Sequence, residues 1–96
     1  MIPGITSKLS EGALDAGATI TPKTDIVRLT GNTAISTITP NFGGGFSGIL
    51  FIVPLTASVA TNTAGNVQNA VTMPQNQVTV LVYSKATGKW YAGAIS

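Results

Sequence analysis

Gln77-Val78-Thr79-Val80-Leu81-Val82-Tyr83 is the strongest strand signal in this 96-residue chain. β-Branched and aromatic side chains fill it, and these fit a pleated, half-buried surface. Ser84-Lys85-Ala86-Thr87-Gly88 follows as a turn, with Gly88 suited to a left-handed backbone position. Lys89-Trp90-Tyr91-Ala92-Gly93-Ala94 then returns as a second strand, so residues 77–94 read as a β-hairpin.

Working outward, the same grammar recurs. Residues 47–53 form an apolar run between Gly48 and Pro54 and predict a strand buried on both faces. Asp25-Ile26-Val27-Arg28-Leu29-Thr30, the turn pair Gly31-Asn32, and Thr33-Ala34-Ile35-Ser36-Thr37-Ile38 predict another hairpin. Ala18-Thr19-Ile20-Thr21 and Val71-Thr72-Met73 are short strand candidates, each stopped by a proline. Residues 55–63 are ambiguous, and residues 63–70 read as a loop or a single helical turn. Residues 1–21 read as an N-terminal arm or irregular segment, because Gly12 and Gly17 bracket any helical turn there. Residues 22–96 read as a single β domain. The expected class is all-β: a small sandwich or barrel of short antiparallel strands.

Composition narrows the chemistry. Hydrophobic residues make up 44% of the chain, too many for a disordered tail. Charged residues make up only 8%, against roughly 25% in an average soluble protein. The net charge of +2 and the pI of 9.3 are therefore a small imbalance among few groups. They supply no Lys/Arg cluster of the kind that displaces counterions from nucleic acid. Fourteen Thr and seven Ser, with six Asn and three Gln, leave the surface to neutral polar groups. Such a surface resists self-association poorly, so part of it is expected to be covered by a permanent interface.

With neither Cys nor His, disulfides, common zinc sites, thiol nucleophiles and imidazole acid–base chemistry are excluded. Glu11 and Asp15 stand four apart, as a helical carboxylate pair would, but solvated carboxylates are the expectation. Gly43-Gly44-Gly45 is followed by Phe46-Ser47-Gly48 and a strand, so it lacks the Lys-Ser/Thr and helix of a phosphate loop. Ser47, Ser58 and Ser84 have no His partner, and no spacing joins them to Lys85 or Lys89. Trp90-Tyr91 suggests a sugar platform, yet adjacent strand residues point to opposite faces, so at most one serves it. The expectation is that Trp90 is packed in the core or at a subunit interface. No enzyme activity, catalytic residue, cofactor or metal is expected. The longest apolar run falls far short of the ~20 residues of a membrane span. The start Met1-Ile2-Pro3-Gly4-Ile5-Thr6-Ser7-Lys8 lacks the pattern of an export signal.

In the order and spacing of four stretches the chain resembles the small β-rich structural proteins of tailed bacteriophages. These are residues 24–40; Phe46-Ser47-Gly48 with the apolar strand to Pro54; Thr63-Ala64-Gly65-Asn66-Val67; and residues 84–91. Such domains occur as capsid decoration (cement) proteins and as modules of tail fibres. Because the domain fills most of the chain and begins at Met1, the resemblance implies the decoration role. It implies a homotrimer on the outer surface of the capsid head, with the major capsid protein as partner and neither nucleic acid nor membrane. The competing implication is a tail-fibre or tailspike module that binds a receptor or carbohydrate. The resemblance brings no functional residue with it, since the family acts through interfaces.

Overall fold

The computed structural model describes residues 9–40 and 45–93. Nine strands and no helix are found among them: β1 Glu11–Asp15, β2 Thr19–Ile20, β3 Ile26–Thr30, β4 Thr37–Ile38, β5 Gly48–Pro54, β6 Val59–Ala60, β7 Thr72–Met73, β8 Thr79–Ser84 and β9 Lys89–Ala92. The all-β expectation therefore holds. Its antiparallel detail does not: the main sheet, in the order β1-β3-β5-β8-β9, is mixed, with β1, β3 and β5 parallel to one another.

Parallel neighbours cannot be joined by a tight turn, so the chain must cross over between them. Here each crossover carries a short strand of a second layer. β2 lies between β1 and β3, β4 lies between β3 and β5, and β2 and β4 pair in parallel. A bridge from Ile35 to Thr61, with Ile35 N–H on the carbonyl of Ala60 at 2.9 Å, ties β4 to the β6–β7 pair.

The hairpin expected over residues 25–38 is thus corrected. Gly31 does turn the chain, at φ 83°, but into the other layer. Both sides of β3 are already taken, by β1 and by β5, which leaves β4 no place beside it. The irregular reading of residues 1–21 also gives way from residue 11 onward, where β1 forms the sheet edge; residues 1–8 lie outside the described residues. The hairpin at the other end is as expected. β8 pairs with β9 antiparallel, and Gly88, at φ 67°, donates its N–H to the Ser84 carbonyl at 2.8 Å.

The core lies between the two layers. Val27, Leu29, Leu50, Ile52, Leu81 and Trp90 project from the main sheet, and Ile20, Ile38, Val59 and Met73 from the short pairs. Tyr83 and Trp90 sit opposite each other on β8 and β9, with ring centroids 5.2 Å apart in a tilted contact. Among the described residues every buried side-chain nitrogen or oxygen has a hydrogen-bond partner. β5 corrects one further expectation: Leu50, Ile52 and Pro54 are buried, but Ile49 on the other face is 51% exposed.

Candidate functional site

Alternation along the strands sends every second residue of the main sheet away from the core. Register then places these residues in rows. Ile26, Phe51 and Val80 make one row, beginning at Glu11 on β1, and Ile49, Val82 and Tyr91 make the next. Leu9 and Val78 flank the first row, enclosing with Ile26 and Phe51 an apolar groove of about 310 Å³. Ile49, Val78, Val82, Tyr91 and Leu9 are all exposed. Exposed apolar residues gathered on one face in this way mark an interaction surface.

This face is bounded by charge. Arg28 and Glu11 pair at 2.9 Å on the β1 side, and Asp15 accepts the hydroxyl of Thr30. Asp25 accepts from the backbone N–H and hydroxyl of Ser10 at 3.2 and 3.0 Å. Each carboxylate thus has a partner between β1 and β3 or the residues just before them. Glu11 and Asp15 stand on a strand, not on a helix, and no group of acidic residues that could hold a metal occurs among the described residues. At the far edge Lys85 and Lys89 flank the β8–β9 turn.

The other candidates separate in space. Gly43 and Gly44 lie outside the described residues. Ser47 accepts the backbone N–H of Lys85 at 3.1 Å, and Ser58 accepts that of Gln75, so both hydroxyls serve the backbone. Trp90 is fully buried and donates its indole N–H to the Ile38 carbonyl, while Tyr91 faces outward with its hydroxyl 3.1 Å from that of Thr87. Trp90 is thus packed in the core, as expected, and of the two aromatics only Tyr91 lies on the surface. A cleft of about 450 Å³ between β7 and β8, lined by Thr72, Pro74, Gln77, Val78, Thr79, Val80 and Gly93, contains no ionisable side chain. No helix among the described residues is long and apolar enough to cross a membrane.

The sequence reading missed two amide clasps. Asn66 accepts the N–H of Ile38 and donates to its carbonyl, both at 2.8 Å. Asn69 does the same for Ala92, at 2.9 Å in each direction. Each side-chain amide thereby imitates a neighbouring strand, and residues 66–69 close the outer edge of β9. No family model, curated protein or solved structure matches this chain.

Proposed function

We propose that the protein is a non-enzymatic virion component, a decoration protein that binds the outer surface of a bacteriophage head as a trimer and stiffens the shell. The observation that carries this reading is the broad apolar face on a sparsely charged all-β domain. Such a face suits permanent association better than turnover of a small ligand. The resemblance of four sequence stretches to phage structural proteins supplies the biological setting. Physically, a shell filled with DNA opens only when its subunits separate. A small oligomer bridging them adds contacts that must first be lost, at roughly 800 Å² per partner for a specific interface, and many copies multiply the effect.

The test is to add purified protein to phage heads that lack it. Co-sedimentation with heads, a head location in electron micrographs and greater resistance of the shell to heat are expected. Binding to tails alone, or capture of a glycan without head binding, would replace this reading with the receptor-binding one.

A further inference from the structure

β1, β3 and β5, with the short strands between them, wind as stacked coils, and the two ends of the stack are unlike. Stacked coils need terminal caps. At one end the β8–β9 hairpin covers β5. The edge of β9 is closed in turn, because Trp90 bonds Asn66 and Gln68 through its backbone and Ala92 is clasped by Asn69. At the other end no described residue pairs with the far side of β1. Ser10 accepts the N–H of Ile26 and Ala16 donates to Thr30, so the even-numbered residues bond toward β3. Glu11, Ala13 and Asp15 therefore direct their N–H and C=O groups away from the sheet, an open edge of the kind that templates pairing.

Two depressions flank this edge, one on each face of the sheet. The outer one, of about 300 Å³, is lined by Ala13, Leu14, Asp15 and Thr30. The inner one, of about 150 Å³, is lined by Gly12, Ala13, Leu14, Thr21, Lys23 and Thr24. Side chains of a strand alternate between faces, so a strand added to β1 would send them into one depression and then the other. Strand addition recognises extended peptides in this way: backbone bonds supply affinity, and pockets for alternate side chains supply specificity. The inner depression is small and Lys23 stands in its wall, which suits short apolar side chains and repels basic ones. The outer one holds Asp15, which is exposed and whose described partner is the neutral hydroxyl of Thr30. The one ion pair among the described residues joins Arg28 to Glu11, so the charge of Asp15 is uncompensated. A lysine or arginine on an added strand would meet it, as opposite charges do across strands. A second copy fits badly. Antiparallel pairing of two β1 edges about Ala13 would set Glu11 of one copy opposite Asp15 of the other, and like charges directly opposite are repulsive.

We propose that the β1 edge is a docking site for an extended segment of a partner polypeptide. The segment pairs through its backbone with Glu11, Ala13 and Asp15. It carries a lysine or arginine on the outer side opposite Asp15 and short apolar side chains on the inner side. The proposal goes beyond the virion role and does not rest on it, since it requires only a partner chain with such a segment.

Amide hydrogen exchange of the full chain, read residue by residue by NMR, tests it with a short synthetic peptide in which lysine alternates with valine. Saturating peptide should slow exchange at Glu11, Ala13 and Asp15 by at least about tenfold. It should leave Gly12 and Leu14 unchanged, because their N–H groups already bond toward β3. The same peptide with glutamate in place of lysine should not bind. Asp15→Asn should weaken binding of the lysine peptide about threefold, and the difference should shrink as salt is raised. Ala13→Pro removes an outward N–H and spares the bonds to β3, a change that edge strands tolerate. With its fold checked by circular dichroism, it should abolish the slowing at Glu11 and Asp15. If that variant does not fold, the glutamate peptide and Asp15→Asn decide the matter without it. No slowing at the three amides with peptide at millimolar concentration, or equal binding of the glutamate peptide, would overturn the proposal. So would chemical-shift changes confined to Ile49, Val82 and Tyr91, which would put the peptide on the apolar face. Binding to phage heads is scored separately, so the docking edge and the decoration role can each fail alone.

Discussion

The indole Nε1 of Trp90 donates a 3.0 Å hydrogen bond to the carbonyl oxygen of Ile38, 52 residues earlier in the chain. The same carbonyl accepts from the side-chain amide of Asn66. One backbone oxygen at the end of β4 thus joins the last strand of the main sheet, the second layer and the loop that closes the β9 edge. Trp90 contributes in two ways, as the largest fully buried side chain and as the donor that makes burying this carbonyl affordable.

Trp90→Ala should therefore cost about 3–5 kcal/mol, as truncation of a buried aromatic does. Trp90→Phe keeps most of the apolar contact and removes only the donor, so its cost should be smaller. Urea unfolding followed by circular dichroism measures both. An unchanged midpoint for Trp90→Ala would show that the indole is not a core residue.

Asn66→Asp replaces a donor with an acceptor facing the Ile38 carbonyl. The Ile38 carbonyl keeps its Trp90 donor, but the carboxylate oxygen turned toward it has none, so the loss should be about 1–3 kcal/mol. Asn69→Asp should act in the same way on Ala92. Thermal melts of the two variants at neutral pH check this.

Gly65 is packed so closely that a Cβ there would overlap Thr37 Oγ1 and the Ser36 carbonyl oxygen. Backbone would have to move, so Gly65→Ala should destabilise by about 1–3 kcal/mol, as overpacking does. Gly45 has nothing within 4 Å of the equivalent position. Gly45→Ala should be close to neutral, which makes it the control in a paired denaturation experiment.

The Glu11–Arg28 pair is 49% and 45% exposed in its side chains. Water and salt screen such a pair, so Glu11→Gln should change stability by less than about 1 kcal/mol. Its melting temperature should track that of the parent from low to high salt. A large, salt-sensitive loss would mean that the pair holds β1 on the sheet.

What the sequence makes legible here is local. The β8–β9 hairpin can be read because turn chemistry at Gly88 and the partners Tyr83 and Trp90 lie within ten residues of one another. The partner of β3 cannot be read in this way, because β1 and β5 compete for it across longer separations and Gly31 permits a turn without saying where it leads. β1 was hidden by Gly12 and by two acids on one side of a five-residue strand. The alternation of Ile49, Phe51 and Val53 with Leu50 and Ile52 does announce two apolar faces. Only the fold shows that a single chain covers one of them. Asn66 and Asn69 gave no warning, since an asparagine in a loop looks the same whether its amide meets water or a distant strand.

The winding of β1, β3 and β5 also has a consequence for synthesis. Apart from the terminal hairpin, each strand of the main sheet pairs only with chain at least ten residues away, a topology that folds slowly. Trp90, the largest fully buried side chain, is made after β1, β3, β5 and β8. Until it emerges, the core that Ile38, Leu50 and Ile52 share with it is incomplete. The fold therefore completes only once the β8–β9 hairpin has been made, and the vulnerable interval is set by how quickly that hairpin finds strands made long before it.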